Sequence, residues 1–127
     1  ADTTVEIDGS ILGQPKDTAD ARAMLPRLSA RPHNVHTAVS VRYAGRCADG
    51  FDTALVTMRP ISDELLDWYL LTGESFGKAG AYAVQGEGAK LVTQVTGETT
   101  TVVGLPVPLL VSLIGQCGLD LAHLRPV

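Results

Sequence analysis

The 127-residue sequence predicts a mixed α/β domain. Three observations carry that reading. Some runs alternate apolar and polar residues with a period of two, other runs between them show helical periodicity, and Gly, Asp or Pro stand at the joints. The length suits a single domain. A content of 45% apolar and 19% charged residues is ordinary for a chain that folds around its own core without a disulfide or zinc.

The first strand is expected over Thr3–Asp8, with Val5 and Ile7 on one face. Asp8-Gly9 is a hairpin turn, and Ile11-Leu12 returns along the first strand. Gly13 to Lys16 is a loop. Asp17 then acts as N-cap, with Asp20 as its capping-box partner, for a helix over about 18–30. Ala21, Met24, Leu25 and Leu28 form the apolar face of this helix, and Pro26, which lacks an amide proton, should kink it.

His33–Tyr43 predicts a half-buried strand, with Val35, Thr37, Val39 and Val41 inward and Asn34, His36, Ser40 and Arg42 outward. Ala44–Gly50 reads as a polar turn, and Phe51–Arg59 as the antiparallel partner strand, closed by Pro60. Ser62 caps a helix whose first turn holds Asp63 and Glu64, matching the helix dipole, and Gly73 is its C′ residue. Glu74–Gly88 is irregular and rich in glycine. A strand over Ala89–Val95, a turn over Gly97–Thr101 and a last helix follow; that helix starts near Pro106 or Pro108 and ends at Gly118.

Ten basic against fourteen acidic residues give a net charge of -4, which disfavours a reader of nucleic-acid backbones. A small anionic ligand stays compatible, because a pocket can be locally positive on an acidic protein. The N-terminus shows neither the basic stretch nor the apolar run of a signal peptide. The most apolar stretch, Val102–Ile114, contains two prolines and is too short to cross a bilayer. Cys47 and Cys117 read as free thiols in a reducing compartment, so a cytoplasmic location is expected.

Generic catalytic motifs are missing: the sequence holds neither Gly-x-Ser-x-Gly nor a Walker phosphate loop. His33 and His36 are three apart on a strand and so point to opposite faces, which argues against a shared metal. His123 reads as a surface residue. The glycine-dense stretch 73–88 has two readings that stay open at this point. It is either a turn-rich connector or a loop whose backbone approaches a ligand, with Lys78 supplying positive charge.

Four blocks carry a resemblance: Ala1-Asp2-Thr3-Thr4-Val5, Leu12-Gly13-Gln14-Pro15, Lys78 to Gly86, and Val102-Val103-Gly104-Leu105-Pro106. In this order and spacing, and with Leu-Ser-Ala-Arg at 28–31, the chain resembles the Maf family over essentially its whole length. These are septum-formation-associated nucleoside triphosphate pyrophosphatases, related in fold to the inosine triphosphatases. The resemblance implies a mixed twisted sheet flanked by helices and a nucleoside triphosphate substrate, cleaved to the monophosphate and pyrophosphate with Mg²⁺ or Mn²⁺. Asp2 matches the catalytic carboxylate and metal contact, Lys78 a lysine near the phosphates, and Thr3 and Gln85 the positions that set base specificity. An Asp-Thr pair with a later Gln is similar to the subgroup acting on dTTP and UTP. Neither nucleic acid nor membrane is an expected partner.

The implied residue types suit the implied chemistry. Cleavage between the α and β phosphorus atoms needs charge neutralisation, a carboxylate to orient or deprotonate water, and cations to hold the leaving pyrophosphate. Two positions depart from the family pattern. Gln14 stands where lysine is usual, with Lys16 as the substitute phosphate contact, and Gly77 stands where aspartate is usual. Family members also begin with a further segment bearing a Ser-x-Arg-Arg phosphate-binding motif, which nothing here matches. Residues 1–127 are therefore expected to form a single Maf-like domain that is incomplete at its N-terminus, with an open sheet edge that favours a homodimer. The same departures motivate a second expectation, a non-catalytic nucleotide-binding or division-regulating relative, and residues 1–127 on their own are expected to have little or no pyrophosphatase activity.

Overall fold

The longest alternating stretch of the sequence becomes the longest regular feature of the computed structural model, which describes residues 1–119. Two strands, β3 (Pro32–Tyr43) and β4 (Arg46–Met58), pair antiparallel from Pro32 opposite Thr57 to Tyr43 opposite Arg46. Their turn is shorter than the sequence suggests. Ala44 and Gly45, with φ of 51° and 78°, close a two-residue hairpin whose twist matches that of the strands. Residues 46–50, polar enough to read as loop, therefore continue the ladder.

On one side, β1 (Asp2–Ile7) pairs with β3, and β2 (Ser10–Leu12) pairs with β1. On the other side, β5 (Val92–Thr96) joins β4 across a bulge at Thr57/Met58. The sheet order is β2-β1-β3-β4-β5, and each pairing is antiparallel. β5 starts later than its sequence suggests, because residues 86–91 turn as a 3-10 helix before it.

Helix α1 (Thr18–Leu28) is capped as expected by Asp17, whose carboxylate accepts from the Asp20 N–H at 2.8 Å. Asp20 accepts in return from the Lys16 N–H at 2.9 Å, one residue earlier than a capping box would have it. The helix runs through Pro26 and ends two residues before the expected limit. In α2 (Asp63–Leu71), Ser62 accepts from the Leu65 N–H at 3.1 Å. A short helix, α3 (Thr99–Val103), occupies most of the expected Gly97–Thr101 turn. The Glu98 carboxylate caps it by accepting from the Thr100 N–H at 3.4 Å, and it also accepts from the Thr100 hydroxyl at 2.9 Å. The last described helix, α4 (Val107–Gln116), has Pro106 at its N-cap and Gly118 just past its end, in the left-handed region at φ 86°. His123 lies outside the described residues.

The buried side chains of the long hairpin fall on one face: His33, Val35, Thr37 and Val39 from β3, and Ala48, Ala54, Val56 and Met58 from β4. Two apolar clusters form there. The larger joins α1 and α2 to the sheet through Val5, Ile7, Leu25, Leu28, Tyr69 and Leu91. The smaller seats α4 through Val39, Ala48, Leu113 and Cys117. The opposite face leaves Ala38, Ser40 and Phe51 exposed, as an antiparallel sheet with one solvated side allows. No described helix is long and apolar enough to cross a membrane.

Leu25 is fully buried between α1 and the sheet. Leu25→Ala should therefore cost about 2–5 kcal/mol of folding stability, since lost transfer energy and a residual cavity add together. Urea unfolding at neutral pH measures this, and a loss below about 1 kcal/mol would contradict the core assignment.

Candidate functional site

A cleft of about 270 Å³ opens at the start of β1. Asp2 and Thr3 enter it from that strand, and Gln14 from the loop after β2. Gly77, Lys78 and Gln85 come from the glycine-rich stretch, and Val102 and Val103 from α3. Residues from all four resembling blocks thus converge on one cavity. Lys16 is not part of the lining; its side chain is exposed. Gln14 and Gly77, the two departures, both line the wall.

The glycine-rich stretch forms one wall of the cleft and is held by its own hydrogen bonds. The Tyr69 hydroxyl accepts from the Ala83 N–H at 3.0 Å and donates to the Glu74 carboxylate at 3.2 Å. That carboxylate also accepts from the N–H groups of Glu87 and Gly88, each at 2.9 Å. These amides, the Glu87 N–H foremost, hold the Glu74 carboxyl below its usual range, while burial pushes Tyr69 up to about 12. Gly88 must be glycine, because a Cβ there would lie 1.7 Å from the Ala83 carbonyl oxygen. Gly80, at φ 73°, passes so close to Val5 that a Cβ would sit 3.0 Å from that side chain, and its N–H donates to the Gly13 carbonyl at 3.1 Å. Lys78 and Gln85 therefore project from a segment tied to α2 at one end and to β1 and the loop after β2 at the other.

Behind the wall, His33 Nε2 and the Tyr82 hydroxyl lie 2.6 Å apart, and Tyr82 reaches the cleft. His33 is 2% exposed, and burial lowers its pKa to about 4, so the ring is neutral at pH 7. His36 stands on the opposite sheet face, with Nε2 at 2.9 Å from Glu6 and Nδ1 at 2.7 Å from the Thr53 hydroxyl. The two histidines therefore have separate partners, as their strand spacing implies.

From Thr3 in the lining, a row of hydroxyls runs into the core. Thr3 Oγ1 lies 2.8 Å from Thr37 Oγ1, and Thr37 donates to the Thr101 carbonyl at 2.9 Å. The Thr101 hydroxyl in turn donates to Asp52 at 2.5 Å. Sequence reading assigned no role to Thr37, Thr101 or Asp52. One signal was available: Thr37 is a hydroxyl residue between Val35 and Val39 on the inward face.

Among the described residues, Asp2 is the one carboxylate of the lining and Lys78 its one basic side chain. Among the described residues, no three His, Cys, Asp or Glu side chains converge as a metal cage. One carboxylate suits a Mg²⁺-like ion that takes its other ligands from phosphate oxygens and water.

A family model described as Maf-like protein matches residues 1–117. A dTTP/UTP pyrophosphatase of Thermus thermophilus is 46% identical over 93% of this chain and 63% of its own length. Proteins of the same description from Myxococcus xanthus and Pyrococcus furiosus are 46% and 42% identical, over 95% and 90% of this chain and 61% and 60% of their own lengths. The chain thus spans about three fifths of the length of these curated relatives.

The buried, neutral His33 makes stability depend on pH with a definite sign. Its folded pKa of about 4 lies below the ordinary 6.5, so unfolding takes up a proton between those values. Stability should be full above pH 6.5 and fall as pH drops toward 4, by up to about 3 kcal/mol from this group. Urea midpoints across that range test this. The slope should flatten in His33→Asn, and an equal slope in both proteins would remove His33 as its source.

Proposed function

The chain belongs to the Maf family, and we propose that its cleft is the nucleotide site of a nucleoside triphosphate pyrophosphatase acting on dTTP and UTP. The observation that carries this reading is the convergence of Asp2, Thr3, Lys78 and Gln85 on one cavity from segments more than seventy residues apart. The names of the similar proteins support the same substrate class.

Each residue then has a chemical task. Asp2 orients the attacking water and accepts its proton. Lys78 holds the leaving pyrophosphate and spreads its charge. Thr3 and Gln85 meet the base, where a hydroxyl and an amide can read donor and acceptor edges. Lys16, two residues past the neutral Gln14, is the proposed second phosphate contact. A divalent ion, Mg²⁺ or Mn²⁺, would be held at Asp2 and would neutralise phosphate oxygens when bound.

A second reading, nucleotide binding without turnover, draws on Gln14 and Gly77, which put uncharged groups on the wall. A cytoplasmic setting suits the free thiols of Cys47 and Cys117. The short outer strand β2 leaves a sheet edge through which a homodimer could form. The net charge of -4 goes with a nucleotide ligand rather than a nucleic-acid partner.

The test is pyrophosphate release from dTTP, UTP, CTP and ATP with Mg²⁺ or Mn²⁺, assayed on the full-length protein. Turnover of dTTP and UTP is expected, and none on any nucleotide would favour the second reading. Asp2→Asn should lower kcat by about 10³-fold or more with an unchanged melting temperature, because shape is kept and the proton acceptor is lost. Gln85→Ala should change the ratio of activities between bases, whereas equal losses on all substrates would make Gln85 structural.

A further inference from the structure

A hydroxyl group carries one proton, so a chain of hydroxyls has a direction. The carbonyl of Thr101 can only accept, and Thr37 donates to it at 2.9 Å. The Thr37 proton is thereby committed. The 2.8 Å contact between Thr3 and Thr37 must then be made with the proton of Thr3. Thr3 lines the cleft, so what its oxygen offers a ligand is lone-pair density only.

The surroundings hold this direction in place. Thr37 and Thr101 are both fully buried, so water cannot supply an alternative partner. The Thr101 carbonyl is held by α3, whose N-terminal turn is capped by Glu98 and whose Thr101 hydroxyl is tied to Asp52 on β4. Turning the chain round would set the Thr37 oxygen and the Thr101 carbonyl oxygen 2.9 Å apart with no proton between them, leaving that carbonyl only the Gly104 N–H at 3.2 Å.

We propose that Thr37 is a positioning residue for base selectivity: by taking the Thr3 proton it makes Thr3 a fixed acceptor, which favours a base with a ring N–H, uracil or thymine, over cytosine. The inference rests on the nucleotide reading of the cleft. Uracil and thymine present a ring N–H between two carbonyls, and the Gln85 amide, with both donor and acceptor atoms, can serve a neighbouring carbonyl. Cytosine presents a bare ring nitrogen at the same place. Two lone pairs then face each other, and a site built to accept a hydrogen bond rejects a ligand that cannot donate one.

Thr37→Val keeps the shape of the side chain and removes its oxygen. The Thr3 hydroxyl becomes free to rotate and to donate to cytosine. The ratio of kcat/KM for UTP over CTP should fall at least about 10-fold, mainly through a rise in KM for UTP and a gain on CTP. Thr37→Ser should restore the wild-type ratio. A loosened α3 alone would lower both activities together and leave the ratio unchanged, and that result overturns the proposal. A second measurement needs no variant: UTP methylated at N3 should be turned over by the wild-type protein no better than CTP, and turnover like that of UTP overturns the proposal. If the wild-type protein turns over UTP while Thr37→Val keeps its selectivity, this inference alone fails. If it turns over neither UTP nor dTTP, the nucleotide reading fails and the inference falls with it.

Discussion

Thr37 is the residue at which the sheet, the short helix α3 and the cleft are joined. The register of three strands places Thr3, Thr37 and Asp52 side by side on one face. Thr101 closes over them from α3. A slip of one residue in either pairing would turn that row to the solvated face and bring His36 or Ala38 inward. The same row lies between the two apolar clusters, so the polar groups that divide the core are also those that seat α3 above the cleft. Every buried oxygen in it has a partner, which is the condition for a polar row to be tolerated there.

A second constraint acts on the wall. A stretch with this many glycines loses much conformational entropy when ordered. The Glu74 carboxylate offsets part of that loss by collecting two backbone amides and the Tyr69 hydroxyl in one node. Gly80 and Gly88 then serve close approach, to Val5 and to the Ala83 carbonyl, more than freedom of movement. The result is a segment that can present Lys78 and Gln85 at defined positions, as a site that discriminates among ligands requires.

The electrostatics of the cleft are local. The chain is acidic overall, yet among the described residues the lining holds one carboxylate and one ammonium side chain. The group behind it, His33, is kept neutral by burial, so at pH 7 it adds no charge that competes with a bound anion. An anionic ligand therefore meets mainly Lys78 and the oriented polar groups around it.

Most of the architecture was legible in local pattern. Alternation marked β1, β3 and β4, Asp17 and Ser62 marked two helix starts, and the resemblance of four short blocks singled out Asp2, Thr3, Lys78 and Gln85. Those features depend on neighbours within a few residues, or on motifs that survive as strings. What the tertiary structure decided lies where distant segments satisfy one another's hydrogen bonds. The strand could continue through polar residues 46–50 because β3 supplied a partner for each of them. Residues 99–103 became helix because Glu98 could cap them and Thr101 could reach Asp52. Lys16 stayed outside the cleft that Gln14 lines, since its N–H belongs to the cap of α1. The direction of the Thr3 hydroxyl is the plainest case. It depends on partners 34 and 64 positions further along the chain in turn, and no local propensity encodes where a single proton will point.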